Sequence, residues 1–178
     1  MAGAAVEGGV SFVRIGDVES VWDDLLDIYR ECWAHRLQLP HYAPEAFGEW
    51  LRRHAGEPGW EAVVAYWPGE PVGYIYANRL TGADDRWWCR TRPAPESVVA
   101  EASTVAVKEM MVRGQWRGIA RGLHDVLLAG RPETQASLMV NPLNQAGRVQ
   151  ALYASWGYRK VGTAQSSPEA PVLTVMVR

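Results

Sequence analysis

Between residues 103 and 128 the chain changes hydrophobic period once, and that change limits the fold more than any other stretch. Ser103 to Val112 (STVAVKEMMV) is a short apolar run with β-branched residues and reads as a strand. After Gly114 and Gly118 the apolar positions become Ile119, Leu123, Val126, Leu127 and Leu128, spaced for one side of a helix that Gly130 and Pro132 close. A strand that passes through a glycine turn into an amphipathic helix belongs to α/β architecture.

The flanking sequence repeats that alternation. Ser11 to Ile15 predicts a first strand, preceded by residues 1–10 as a flexible tail and followed by Asp17 as the cap of a helix. In that helix Val21, Trp22, Leu25, Leu26, Ile28, Tyr29 and Trp33 form the core side, while Asp23, Asp24, Asp27 and Glu31 lie on the other. Pro44 opens a second helix that ends before Gly56. Trp60 to Trp67 and Val72 to Leu80 predict an antiparallel hairpin, and residues 81–98 a long loop. Gln135 to Val140 reads as a strand, the segment around Val149, Leu152, Tyr153 and Trp156 as a helix, and Tyr158 to Gly162 and Val172 to Val177 as two last strands. The predicted order is β-α-α-β-β-β-α-β-α-β-β with a mixed sheet.

At 178 residues, 48% hydrophobic and 21% charged, the chain is long enough for a single core, and residues 11–178 are expected to form one domain. A formal net charge of −2 without runs of like charge argues against broad nucleic-acid binding. Cys32 and Cys89 give neither a disulfide framework nor a metal spacing, so reduced thiols, no metal and a cytoplasmic location are expected. No long apolar run predicts a membrane span, and the first residues lack the basic and apolar regions of a secretion signal.

The turn between the strand and helix of 103–128 is suited to an anion. Gly118 and Ala120 are small enough for a ligand to approach the backbone, and the helix start offers unpaired N–H groups and a positive dipole end, with Arg117 and Arg121 adding charge. The lysine and hydroxyl of a nucleotide P-loop are missing, as is a dinucleotide fingerprint. Gln115-Trp116-Arg117-Gly118-Ile119-Ala120 fits the pattern Q/R-x-x-G-x-G/A, and Arg117 to Gly122 offers a second register. Further on, Leu138 to Asn144 is followed by Ala151-Leu152-Tyr153-Ala154-Ser155-Trp156-Gly157-Tyr158. In these two blocks the chain resembles the GNAT superfamily of acyl-CoA-dependent N-acyltransferases, and the order of elements extends the resemblance over nearly its whole length.

The resemblance implies a three-layer fold around a mixed, mostly antiparallel sheet that splays between the family's strands four and five. It implies that pantetheine lies along Met110, Met111 and Val112, that Arg117, Gly118, Ile119, Ala120 and Arg121 meet the pyrophosphate, and that Asn144 contacts the cofactor. Tyr153 falls on the family's frequent general acid, and Glu109 is a candidate general base. The implied reaction is direct acetyl transfer from acetyl-CoA to a primary amine without a covalent enzyme intermediate. Small amines, aminoglycoside-like compounds included, are the leading acceptors. Protein N-termini and lysines are the alternative within that chemistry, and noncatalytic acyl-CoA binding or sensing is the alternative of another class. A homodimer is left open.

His35 and His41 lie where this family commonly borders its acceptor site. Trp87, Trp88 and the Asp84-Asp85 pair have both a site reading, as pocket wall and amine attractant, and a plain one, as sheet cover and loop turn.

Overall fold

The computed structural model describes residues 5–7 and 9–178, which pack as two compact units. The first comprises the chain up to Asn78 together with Lys108–Arg131, and the second Arg79–Val107 with Pro132–Arg178.

In the first unit Ala5–Glu7 (β1), Val10–Ile15 (β2), Glu61–Trp67 (β3) and Glu70–Arg79 (β4) are hydrogen-bonded in that order, the three pairs antiparallel, and the end of Thr104–Val112 (β5) follows beside β4. The tail expected over residues 1–10 is corrected at two places: Ala5–Glu7 is a strand, and Val10 is already in β2 and buried. Gly9, with φ +86°, turns the chain between them. Residues 1–4 and 8 of that tail lie outside the described residues. Asp17 caps as expected, but it caps a 3-10 turn over Val18–Val21, accepting from the Glu19 N–H at 3.1 Å, and the α-helix proper is Trp22–Cys32 (α1). Pro44–Ala55 (α2) starts on its proline and ends at Gly56, as predicted.

The helices α1 and α2 cover one face of this sheet. Leu25, Ile28, Tyr29, Phe47 and Leu51 pack with Ala62, Val64, Tyr74, Tyr76 and Met111. Tyr29 and Phe47 stack with ring centres 4.1 Å apart and planes 9° from parallel, a pair that adds about 1 kcal/mol beyond its buried area. The helix Ala120–Ala129 (α5 in chain order, after two short helices given below) packs on Phe12: a Cβ at Gly122 would lie 2.6 Å from that ring. Arg14 ties the sheet to the end of this helix, donating to Glu61 and to the Val126 carbonyl at 2.6 Å, where a cation also meets the negative end of the helix dipole.

In the second unit the start of β5 pairs in parallel with Gln135–Val140 (β6), and the order continues through Leu173–Val177 (β8) to Arg159–Ala164 (β7), both of those pairs antiparallel. One parallel pair among antiparallel ones makes the sheet mixed and mostly antiparallel. The loop expected over 81–98 contains the short helices Arg86–Cys89 (α3) and Ser97–Ala100 (α4). Asp85 accepts from the Trp87 N–H at 2.9 Å and caps α3, whose Trp88 enters a core with Leu80, Val99, Ala106, Val175 and Val177. Arg148–Ser155 (α6) follows a left-handed turn in which Gln145, Ala146 and Gly147 all have positive φ. Among the described residues no helix is long and apolar enough to cross a membrane.

Candidate functional site

The ladder between β5 and β6 ends early. Its register runs from Thr104–Gln135 to Val107–Leu138, so Lys108–Val112 adjoins β4 alone and its other edge lacks a β6 partner. Backbone N–H and C=O groups alternate in direction along a strand, and in this stretch the Met110 N–H donates to Glu109 and the Val112 carbonyl accepts from Cys32. In the second unit Met139 and Val140 likewise pair only with Val175 and Thr174 of β8. The family's strands four and five are β5 and β6 here, and their parallel ladder stops at Val107–Leu138.

Met110, Met111 and Val112 all lie in the unpaired stretch. Met111 is buried beneath α1 and α2, and the Val112 carbonyl accepts the Cys32 thiol with sulfur to oxygen 3.6 Å. Strand β4 approaches closely here: a Cβ at Gly73 would lie 3.0 Å from the Met111 carbonyl oxygen and 3.1 Å from Val112 Cγ2. Only glycine leaves room for that approach.

Glu109, the second residue of the stretch, has its carboxyl set among protein atoms although the residue keeps a part-exposed surface. Burial pushes the carboxyl up to about 7, and a 3.2 Å hydrogen bond from the Met110 N–H opposes the shift. The Glu109 charge in turn helps to raise the phenols of Tyr29, Tyr74 and Tyr76, burial being the larger cause in each; Tyr29 reaches about 12. The Tyr76 hydroxyl is 3.1 Å from Nδ1 of His54, which burial and then the charges of Lys108 and Arg53 depress to about 4. His54 is therefore neutral at physiological pH.

Past β5, Gly114–Ile119 forms a 3-10 segment that runs directly into α5, and no side chain caps the α5 N-terminus. At Gly118 an added Cβ would meet nothing within 4 Å. Packing thus does not explain this glycine, and the space beside its Cα is open. The backbone of Arg117, Ile119 and Ala120 follows the same turn. Arg121 points elsewhere than at that start: its Nε donates to Asp125 one turn along at 2.6 Å.

The remaining site candidates are in the second unit. Asn144 is exposed, and its N–H bonds the Asn141 carbonyl at 3.0 Å. Tyr153 is buried on α6, edge-on to Trp156 and Tyr158 at 5.4 and 5.8 Å between ring centres. Trp87 Nε1 donates to Ser137 at 2.9 Å and Trp88 is core, which favours the sheet-cover reading of both. Asp85 is likewise structural, since it also accepts from Thr81. Among the described residues no group of three or more metal-ligating side chains converges.

The sequence reading missed that Tyr29, Tyr74 and Tyr76 all feel the Glu109 charge, with His54 hydrogen-bonded to Tyr76. Tyr74 and Tyr76 stand two apart in a strand and so share a face, which was legible; that the face is the one Glu109 meets depends on strand pairing.

The fold has solved counterparts. A crystal structure of aminoglycoside 6'-acetyltransferase type Ii is 18% identical, with 94% of this chain and 95% of that chain covered and a TM-score of 0.65. A GNAT-family acetyltransferase from Streptococcus agalactiae is 13% identical, with 94% of each covered and a TM-score of 0.68. The fold is that of the GNAT acetyltransferases. An acetyltransferase from Thermus thermophilus gives a third match, 19% identical with 94% of this chain and 96% of that chain covered and a TM-score of 0.60. No protein-family model and no curated sequence matches the chain. At these identities it is the GNAT fold that is shared, and the chemistry has to be argued from this chain's residues.

Proposed function

We propose that the protein transfers an acetyl group from acetyl-CoA to a primary amine of a small molecule, with residues 11–178 acting as one catalytic domain. The observation that carries this reading is Glu109: a carboxyl with a pKa near 7 sits on the stretch of β5 that has lost its β6 partner, in a chain with the GNAT fold. A base works best when its pKa is near the working pH, and a desolvated carboxylate on a free strand edge meets that condition.

The residues present fit acetyl-CoA. The open space at Gly118 and the uncapped α5 N-terminus suit a pyrophosphate held by backbone N–H groups from Arg117 to Ala120. The stretch Met110–Val112, which lacks a β6 partner, suits the amide groups of pantetheine, which would add to it as a further strand. Asn144 is assigned to the cofactor as well; Arg121, paired with Asp125, would contribute its charge at longer range.

Bound acetyl-CoA supplies the activated acyl group. Glu109 takes a proton from the incoming ammonium onto its carboxylate, which frees the nitrogen lone pair. A backbone N–H near Val112 polarises the acyl carbonyl, and the Tyr153 hydroxyl gives a proton to the departing sulfur. The test is to incubate the protein with acetyl-CoA and a panel of primary amines and follow free thiol and the acetylated amine together. Acetylated product in proportion to thiol supports the reading; thiol release without acetylated amine, or no turnover with any acceptor by protein that binds acetyl-CoA, would replace it with acyl-CoA hydrolysis or noncatalytic acyl-CoA binding.

A further inference from the structure

This inference rests on the acetyltransferase reading and concerns how the turn assigned to the pyrophosphate is held in place. The turn has little of its own to fix it. It runs over Gly114–Ile119 as a 3-10 segment, carries glycine at 114 and 118, and enters α5 without a side-chain cap. A Cβ added at either glycine would meet nothing within 4 Å, so neighbouring atoms do not wedge the backbone there. Its start, by contrast, is anchored. The Arg113 N–H donates to the Val72 carbonyl at 3.0 Å, Arg113 Nε donates to the Pro71 carbonyl at 2.8 Å, and the guanidinium also pairs with Glu31.

Three residues on, the Trp116 N–H bonds the Arg113 carbonyl at 2.8 Å, and the half-buried Trp116 indole meets Trp67 with ring centres 4.9 Å apart and planes 45° from parallel. Trp67 is a firm support for such a contact. It is the last residue of β3 and pairs with Glu70 across the hairpin, whose bend holds Gly69 at φ +88°. Its indole also passes the turn between β1 and β2, where a Cβ at Gly9 would lie 3.4 Å from Trp67 Nε1. Yet Trp67 keeps 43% of its surface exposed. A large ring left outside the core and set against a second aromatic contributes chiefly through that contact.

We propose that Trp67 is a positioning residue for the cofactor: through Trp116 it holds the Gly114–Ile119 turn in the form that presents the backbone N–H groups of Arg117 to Ala120 to the pyrophosphate. It acts through the turn without touching the ligand. When the contact is lost the turn spends more of its time open, and the apparent affinity falls with the fraction that stays competent. An aromatic pair shifts such an equilibrium roughly threefold to tenfold.

The experiment measures acetyl-CoA binding by calorimetry and amide hydrogen exchange over residues 113–120 in the wild type, Trp67→Ala and Trp67→Phe. Trp67→Ala should weaken acetyl-CoA binding roughly threefold to tenfold and speed exchange of that segment in the free protein by a similar factor, with exchange in the core strands unchanged. Saturating acetyl-CoA should slow the segment back to the wild-type rate. Trp67→Phe, which keeps a ring opposite Trp116, should recover most of both losses. Unchanged affinity, unchanged exchange over 113–120, no recovery in Trp67→Phe, or a loss matched by faster exchange throughout the fold overturns the positioning role and leaves the acetyl-CoA reading standing. Failure of the wild-type protein to bind acetyl-CoA at all overturns the reading, and this role with it.

Discussion

The Val107–Leu138 pair is the last rung of the parallel β5–β6 ladder, and Glu109 lies two residues beyond it. The strand loses its β6 neighbour there, and the next part of the chain carries a carboxyl that burial pushes up to about 7. The proposed chemistry uses both.

The base has a defined pH signature. Glu109 works as a carboxylate, so kcat/KM should fall as pH drops through about 7, following the free-enzyme carboxyl. Glu109→Gln should lower kcat roughly a hundredfold, remove that acidic limb, and leave acetyl-CoA affinity unchanged. Stopped-flow thiol release across pH tests it, and an unaltered limb in the variant would assign the titration to another group.

Tyr153→Phe removes one hydroxyl and keeps the ring that packs against Trp156 and Tyr158. Acetyl-CoA should bind as before, while turnover drops at least roughly tenfold when chemistry limits the rate. Unchanged turnover under those conditions would remove Tyr153 as the acid.

Glycines 73 and 118 should respond in opposite ways. Gly118→Val enters open space, so the melting temperature should hold while acetyl-CoA affinity falls at least roughly tenfold, or about 1.4 kcal/mol. Gly73→Ala puts a methyl against the Met111 carbonyl and should destabilise the fold by about 1–3 kcal/mol. Urea unfolding of both variants beside calorimetry with acetyl-CoA separates the two effects, and a destabilised Gly118→Val would mean that packing holds that turn.

His54 links stability to pH. Its folded pKa of about 4 lies below the ordinary 6.5, so the unfolded chain binds the proton more readily. The resulting stability is present above pH 6.5 and is lost as pH falls toward 4, on the order of 3 kcal/mol. Compared at pH 7 and pH 4.5 by denaturant unfolding, His54→Gln should lose less stability than the wild type across that interval. Parallel losses would show that His54 is not the titrating group.

What the sequence could reveal followed from the range of the forces involved. Pro44 and Gly56 bound α2 through local backbone preferences, and both were legible. The helices at Arg86–Cys89 and Ser97–Ala100 are too short to show a period, and Asp85 read as a loop residue because its cap partner is a backbone N–H. The positive φ of Gln145 and Ala146 has no residue signal, since only glycine advertises that region. At the site, a motif pointed to the Gly118 turn and a strand position to Glu109, whereas the coupling of Tyr29, Tyr74 and Tyr76 to Glu109 depends on how β4, β5 and α1 pack. That information is long-range and no window along the chain contains it.

The most direct test of the account is calorimetric titration of the folded protein with acetyl-CoA, with ATP and NAD as controls. The account predicts saturable binding of acetyl-CoA, no comparable heat from ATP or NAD, and weaker binding by Gly118→Val. No detectable acetyl-CoA binding by folded protein, or equal binding of ATP, would contradict it.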